Sequence, residues 1–189
     1  KGIGILYITP LKALINDLES ALRKPILDLK LPYQVEKRTG DTSPSQKLRQ
    51  KRSPPEVLLT TPESLAQMLT QQESQIQFLQ LQMIIVDEWH EFLGTKRGAL
   101  LELSLARLKK WVPSVQIWAL TATIGNLKEA AQVCVGIDRC PVLITAQMER
   151  EVIIEAILPE YVEKLPWAGY LGIRMVPYVV EKLNLEEPA

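Results

Sequence analysis

Asp87, Glu88 and His90 place two adjacent carboxylates and the chain's only histidine within four residues. Such a pair suits two linked tasks: one carboxylate can hold a hard divalent cation while its neighbour orients or deprotonates a water. A transition-metal site fits less well, because it calls for a third or fourth ligand and no second histidine exists. A phospho-accepting aspartate in a response-regulator-like sheet is another reading. The plainest is that the acids solvate a strand end while His90 caps or packs. The segment in front favours chemistry: Met83, Ile84, Ile85 and Val86 form the short apolar run of a strand covered on both faces. Ligands of open parallel sheets sit beyond the carboxyl ends of such strands.

The remaining elements repeat this grammar. An apolar run over residues 3–8 ends at Thr9-Pro10, after which Leu11, Leu14, Ile15, Leu18 and Leu22 recur at helical spacing, with Pro10 suited to the first helical position. A second strand is expected around Tyr33, Gln34 and Val35, leading into Arg38-Thr39-Gly40. Ser43-Pro44 then opens a basic helix, and Pro54-Pro55 ends it. Residues 56–60 read as a third strand, and Thr61-Pro62-Glu63-Ser64 opens a helix to about residue 71, with a Gln-rich connector after it. Beyond the central strand come a helix ending at Trp111, a strand over 115–120, a helix capped by Asn126, and extended segments over 141–144 and 152–158. This alternation predicts an α/β fold with a mostly parallel sheet and helices on both faces. The character changes after residue 158, so residues 1–158 are expected to form one domain. Residues 159–189 read as a boundary segment with an amphipathic stretch, in which Pro177 opposes a helix.

Five strand ends therefore carry polar signatures: Thr9-Pro10-Leu11-Lys12, Arg38-Thr39-Gly40, Thr61-Pro62-Glu63-Ser64, Asp87-Glu88-Trp89-His90 and Thr121-Ala122-Thr123. In this order they resemble motifs Ia, GG, Ib, II and III of the superfamily 2 helicases of the DExH type. The flanks, residues 89–98, 120–127 and 165–172, look like the Lhr-like branch, most of all the bacterial ligase-associated DEXH-box DNA helicases. The resemblance covers nearly the whole chain and implies a RecA-like first motor domain of the P-loop NTPase kind. No Gly-x-x-x-x-Gly-Lys-Thr pattern occurs among the nine glycines. The expectation is thus a fragment that starts after the phosphate loop, stops before the second RecA-like domain, and is inactive alone.

By resemblance, Asp87 would hold Mg2+ on ATP, Glu88 would act on the attacking water, and His90 would couple nucleotide state to nucleic-acid contacts through Thr121, Ala122 and Thr123. Thr9, Pro10, Leu11, Lys12, Arg38, Thr39, Gly40, Thr61, Pro62, Glu63 and Ser64 would grip single-stranded or tailed DNA, or RNA, by its backbone, using exposed N–H groups and hydroxyls at helix starts. The implied parent is a 3′ to 5′ DNA repair helicase, with a ligase and a nuclease as functional associates. The alternative is a non-catalytic nucleic-acid-binding or interaction module on a degenerate DExH framework.

Charge and composition add bounds. Lysine plus arginine equals aspartate plus glutamate at 22 each, but residues 1–55 carry 11 basic and 5 acidic side chains while residues 56–189 carry 11 and 17. One end can attract a polyanion although the whole is neutral. Within it, Lys47, Arg49, Lys51 and Arg52 could extend a phosphate track, but a charged helix is ordinarily a solvated face, and that reading is preferred here. Trp111 and Trp118 read as packing residues, and Trp167 has no assigned role. Two cysteines support neither a disulfide framework nor zinc, and no apolar run approaches a membrane span, so a cytoplasmic setting is expected.

Overall fold

The computed structural model describes residues 2–122, 124–145 and 176–185. The chain divides into two compact units, Lys1–Ile144 and Thr145–Ala189. The first is built on five strands: β1 (Ile5–Ile8), β2 (Val35–Arg38), β3 (Val57–Thr60), β4 (Met83–Val86) and β5 (Gln116–Ala119). They lie in the order β2-β3-β1-β4-β5, and every neighbouring pair is parallel. Parallel neighbours need crossover connections, and helices supply them: α1 (Lys12–Asp28), α2 (Pro44–Arg52), α3 (Pro62–Leu69), the short α4 (Ser74–Phe78), α5 (Lys96–Trp111) and α6 (Leu127–Val135).

Strand periodicity sends alternate residues to opposite faces. Ile5, Tyr7, Val35, Val57 and Leu59 pack against Ile15, Leu18, Leu22 and Ile26 of α1. Leu6, Ile8, Leu58, Ile84 and Val86 face the other way, into a larger core with α3, α4, α5 and α6. The result is a three-layer α/β sandwich. The register is what positions a site. Ile8 pairs with both Thr60 and Val86, Arg38 pairs with Thr60, and Val86 pairs with Ala119, so all five strands end at one level.

Several expectations shift. Lys12 is the first residue of α1, with Leu11 as its N-cap and no side-chain capping bond, so Pro10 precedes the helix instead of opening it. β2 lies two residues later than expected, which makes Arg38 its last residue. The Gln-rich connector contains α4, in which Phe78 is buried while Ile76 stays exposed. Residues 141–144 join no strand, and Val142 and Ile144 are 86% and 93% exposed. Trp118 is 55% exposed, because β5 is an edge strand among the described residues. Residues 152–158, Trp167 and the 158/159 boundary lie outside the described residues. In the second unit, α7 (Val176–Leu185) is a helix despite Pro177, which falls in its first turn, where a missing N–H costs nothing.

Two features of this packing are testable. A Cβ at Gly98 would collide with the Phe92 carbonyl oxygen. Gly98→Ala should therefore lower stability by about 2 kcal/mol through forced backbone movement, and an unchanged urea midpoint would refute that contact. Cys134 is buried and its thiol is pushed up to about 12 by burial, which outweighs nearby Lys109, whereas Cys140 is exposed. Thiol titration should count one reactive cysteine in the native chain and two after denaturation.

Candidate functional site

The level strand ends gather the acids and their neighbours. The Asp87 N–H donates to the Ile8 carbonyl at 2.8 Å, continuing the β1–β4 ladder one step past the strand, and the Thr9 N–H donates to Thr60 at 3.2 Å. The Asp87 carboxylate accepts from the Glu88 N–H at 3.1 Å. Tyr7 pairs with Ile85 and so shares a face with Asp87, near enough for the carboxylate to act on its phenol. Burial first, then the Asp87 charge, hydrogen bonding to Asp87 and the Glu88 charge push the Tyr7 phenol up to about 12. Among the described residues, no cluster of three or more His, Cys, Asp or Glu side chains could hold a metal alone. The acids suit a cation that brings most of its own ligands.

Glu88 turns the chain. Its backbone is left-handed, φ +50° and ψ +46°, an uncommon conformation for a residue with a Cβ, and it ends the strand abruptly. A 3-10 turn, Trp89–Glu91, comes next. Trp89 anchors it: the ring is buried and its indole N–H donates to the Ala130 carbonyl at 2.9 Å. His90 is thereby held over the next strand end. Its Nδ1 accepts from the Ala122 N–H at 3.3 Å and lies 3.3 Å from the Thr121 hydroxyl, while Glu88 and Glu91 carboxylates stand 3.5 Å from Nδ1 and Nε2. The structure thus joins His90 to Thr121 and Ala122; Thr123 lies outside the described residues.

The other predicted residues behave less uniformly. Thr9, Pro10, Thr39, Thr61, Pro62 and Ser64 are buried, while Leu11, Lys12, Gly40 and Glu63 are exposed. The start of α3 does not offer the free hydroxyls expected of it. Thr61 caps the helix by accepting from the Ser64 N–H at 3.4 Å, and its own hydroxyl is 3.3 Å from that of Ser64. Glu63 covers the same helix end. Burial alone would raise its carboxyl, but hydrogen bonds from Arg97, its own backbone N–H and Thr61, with the Arg97 charge, leave it below the usual range. Lys12 is paired with Asp41 at 2.7 Å, and a Cβ on Gly40 would lie 3.8 Å from its ammonium, so the α1 start and the Thr39-Gly40 loop meet. Arg38 is only 4% exposed.

Arg97 is the residue that motif reading passed over. Its guanidinium pairs with both carboxylate oxygens of Glu63, donates to the Pro10 carbonyl at 2.9 Å, and lies 5.8 Å from the centroid of the buried Phe92 ring. One side chain fastens three loops that are far apart in sequence. The available signal was its place in the basic pair Lys96-Arg97 just before Gly98.

Comparison with known proteins locates this arrangement. Residues 1–130 match the family model for the DEAD/DEAH box helicases. The chain belongs to the DEAD/DEAH box helicase family. It is 38% identical over 170 residues to the ATP-dependent helicase Lhr-Core of Methanocaldococcus jannaschii, covering 83% of this chain and 20% of that protein. It is 40% identical over 147 residues to the Lhr helicase/probable uracil glycosylase of Mycolicibacterium smegmatis, covering 72% and 10%. The solved structure of Mycobacterium smegmatis helicase Lhr bound to ssDNA and AMP-PNP superposes with a TM-score of 0.63 at 40% identity, over 70% of this chain and 18% of that one. The sheet is therefore that of a RecA-like helicase domain. The chain spans a fifth or less of the length of these relatives.

Within this DEAD/DEAH domain the Glu63–Arg97 clamp has a pH signature. A carboxyl held below its ordinary value of 4.5 contributes stability that is present above that value and lost as pH falls through the lowered one. Both partners are substantially exposed, so solvent screening limits the effect to about 1 kcal/mol or less. Glu63→Gln should be slightly less stable than the parent chain at pH 7, with the gap closing below about pH 4. Urea midpoints at the two pH values measure it, and a gap that widens in acid would rule the clamp out.

Proposed function

We propose that these residues work as part of the first motor domain of an ATP-dependent, Lhr-like DNA helicase. The observation that carries this reading is the junction at the β4 end: an aspartate held by Tyr7 and the Glu88 N–H, a glutamate turned away by its left-handed backbone, and a histidine bonded to the next strand's loop. In this reading Asp87 is the site for Mg2+ on the nucleotide, fitted by a single half-buried carboxylate with a hard oxygen donor set. When bound, Mg2+ neutralises charge on the β- and γ-phosphates. Tyr7 fixes the rotamer of Asp87. Glu88, directed elsewhere by the backbone turn, holds the attacking water and takes its proton. His90 reports on this chemistry: Nδ1 accepts from Ala122, so movement of the Thr121-Ala122 loop and of the 3-10 turn are tied.

On the nucleic-acid side, Lys12, Gly40 and the exposed backbone beside Leu11 are the contacts that remain accessible. Thr9, Thr39, Thr61, Pro62 and Ser64 support them from below, with Arg38 beneath the Thr39-Gly40 loop. The strand they serve is single-stranded or tailed DNA, in keeping with the ssDNA held by the Mycobacterium smegmatis relative. Its AMP-PNP likewise supports ATP as the nucleotide. Work at sites of repair with a ligase and a nuclease, and a cytoplasmic location, extend the proposal. No described helix is long and apolar enough to cross a membrane.

The test is ATP hydrolysis by a polypeptide that carries these residues together with a phosphate-binding loop and a second motor domain. Glu88→Gln should reduce kcat by about 100-fold or more while leaving nucleotide affinity within a few-fold. His90→Ala should retain basal hydrolysis but lose most of its stimulation by single-stranded DNA. Hydrolysis by Glu88→Gln at the parental rate would remove Glu88 from the chemistry.

A further inference from the structure

The end of α1 is fixed in a way that leaves its apolar side chains in solvent. The Leu31 N–H donates to the Ile26 carbonyl at 2.9 Å and the Lys30 N–H to the Leu27 carbonyl at 3.1 Å, while Lys30 takes a left-handed backbone, φ +51°. These are the paired bonds that close a helix C-terminus, and the residue after the left-handed one ordinarily covers its apolar side chain against the helix. Here Leu27, Leu29, Leu31 and Tyr33 all remain exposed. Leu27 and Tyr33, with Ile26 and Val35, line a cleft of about 310 Å3 at the start of β2, flanked by Arg23 and Arg49. Exposed apolar side chains held together on hydrogen-bonded backbone and rimmed by charge mark a contact surface.

The charge around the cleft narrows the occupant. Residues 23–52 carry nine basic and three acidic side chains. Of those acids, Glu36 bonds Arg49 and Gln50 and Asp41 bonds Lys12, which leaves Asp28. Glu19, on α1, is shared by Arg23 at 2.8 Å and Lys37 at 2.9 Å. Among the described residues, no ion pair holds Lys24 or Lys30. A second copy of the chain would bring the same basic face, so an isologous contact is opposed by like charge. Added-strand pairing is opposed as well, because the Val35 and Lys37 carbonyls of β2 already accept from Arg23 at 3.3 Å and Gln50 at 3.1 Å. The fitting partner supplies negative charge and an apolar side chain, without a strand edge.

We propose that this cleft is a docking site for an acidic peptide segment of another protein, with one aromatic or leucine side chain of that partner seated between Ile26, Leu27, Tyr33 and Val35. Arg23 and Arg49 meet its flanking carboxylates. Each guanidinium makes its bonds within the domain through one Nη, and Nε and the second Nη have no hydrogen bond among the described residues. Lys24 and Lys30 add to the field that draws an acidic chain in. The site is separate from the junction at Asp87. Val35 is level with Val57, and Val57 with Ile5, the first residues of their strands, so the cleft opens at the opposite end of the sheet. An occupant there leaves the β4 end uncovered.

The test uses the 189-residue chain and a short fluorescein-labelled peptide of aspartate and glutamate with one central phenylalanine, read by anisotropy. Saturable binding is expected, weakened about fivefold when alanine replaces the peptide's phenylalanine. Leu27→Ala should weaken it to a similar degree; that side chain is 73% exposed, so its truncation spares the fold. Arg49→Gln should weaken binding about threefold and lessen its salt dependence. Leu103→Ala, another exposed leucine, on α5, is the control and should bind as the parent does. No saturable binding up to about 1 mM peptide overturns the proposal. So does binding indifferent both to Leu27→Ala and to loss of the phenylalanine, which reduces the contact to bulk charge. Oligo(dT) is the competing arm: if it displaces the peptide and its own affinity falls in Leu27→Ala, the face belongs to nucleic acid and the peptide assignment fails. Sedimentation velocity covers the last case, since a dimer that Leu27→Ala dissociates would give the cleft to a second copy and overturn the assignment too.

Discussion

The flush parallel register of β1, β3, β4 and β5 is the constraint on which the rest depends. Parallel strands cannot be joined by tight turns, so each must be followed by a crossover, and every crossover leaves from the same end. Because Ile8 is level with Thr60 and Val86, and Val86 with Ala119, the residues just past each strand become neighbours although as many as 110 positions separate them in sequence. One added ladder bond, from the Asp87 N–H to Ile8, carries the alignment past the strands and sets the first acid beside the start of α1. A slip of one residue in β4 would send Asp87 to the opposite face, away from Tyr7.

The segment after β4 converts that alignment into a shape. Glu88 adopts a left-handed backbone, and the strain is held by three contacts on its C-terminal side: Trp89 locked to Ala130, Phe92 buried against Trp89, and Gly98 fitted against the Phe92 carbonyl. Thr95 then caps α5 through the Gly98 N–H at 3.0 Å and donates its hydroxyl to Phe92 at 2.7 Å. The rigid turn that results aims His90 at the Thr121-Ala122 loop and Arg97 at Pro10 and Glu63. The acidic junction and the loops at the starts of α1 and α3 are thus two sides of one packed segment. A change of position at one has a covalent and a hydrogen-bonded route to the other.

Much of what the motifs encode is scaffolding. Thr61 and Ser64 spend their polar atoms on a helix start, and the Thr60 hydroxyl bonds the Arg38 carbonyl at 2.7 Å, tying β3 to β2 where the strands end. Small hydroxyl residues recur at these positions because they satisfy backbone groups exposed at strand-to-helix junctions without adding bulk. Of the cations near these junctions, Lys12 and Lys51 are exposed, Lys47 is half-buried and Arg38 is buried. They lie in the basic first part of the chain, and the acidic remainder carries Asp87 and Glu88.

The sequence alone determined the α/β alternation, the central strand ending at Asp87 and Glu88, and the helicase family, because these rest on local signals: apolar runs, proline and hydroxyl helix starts, and short motifs in order. It also placed Asn126 as a cap and Ser43-Pro44 as a helix start, since such junctions are decided within four residues. Where it went astray, the deciding contacts were distant. The helix α4 forms inside a polar connector because Phe78 finds the core, Trp118 is exposed because β5 is an edge strand among the described residues, and residues 141–144 join no strand. Arg97 acquired its role only when the fold brought Pro10, 87 positions away, to its guanidinium. On α2, helical period sets Lys47 and Lys51, four residues apart, on one face and Arg49 on the opposite one, but that Arg49 meets the Glu36 carboxylate was decided only by the fold. Which cation meets an acid is settled by three-dimensional neighbours that no local pattern records.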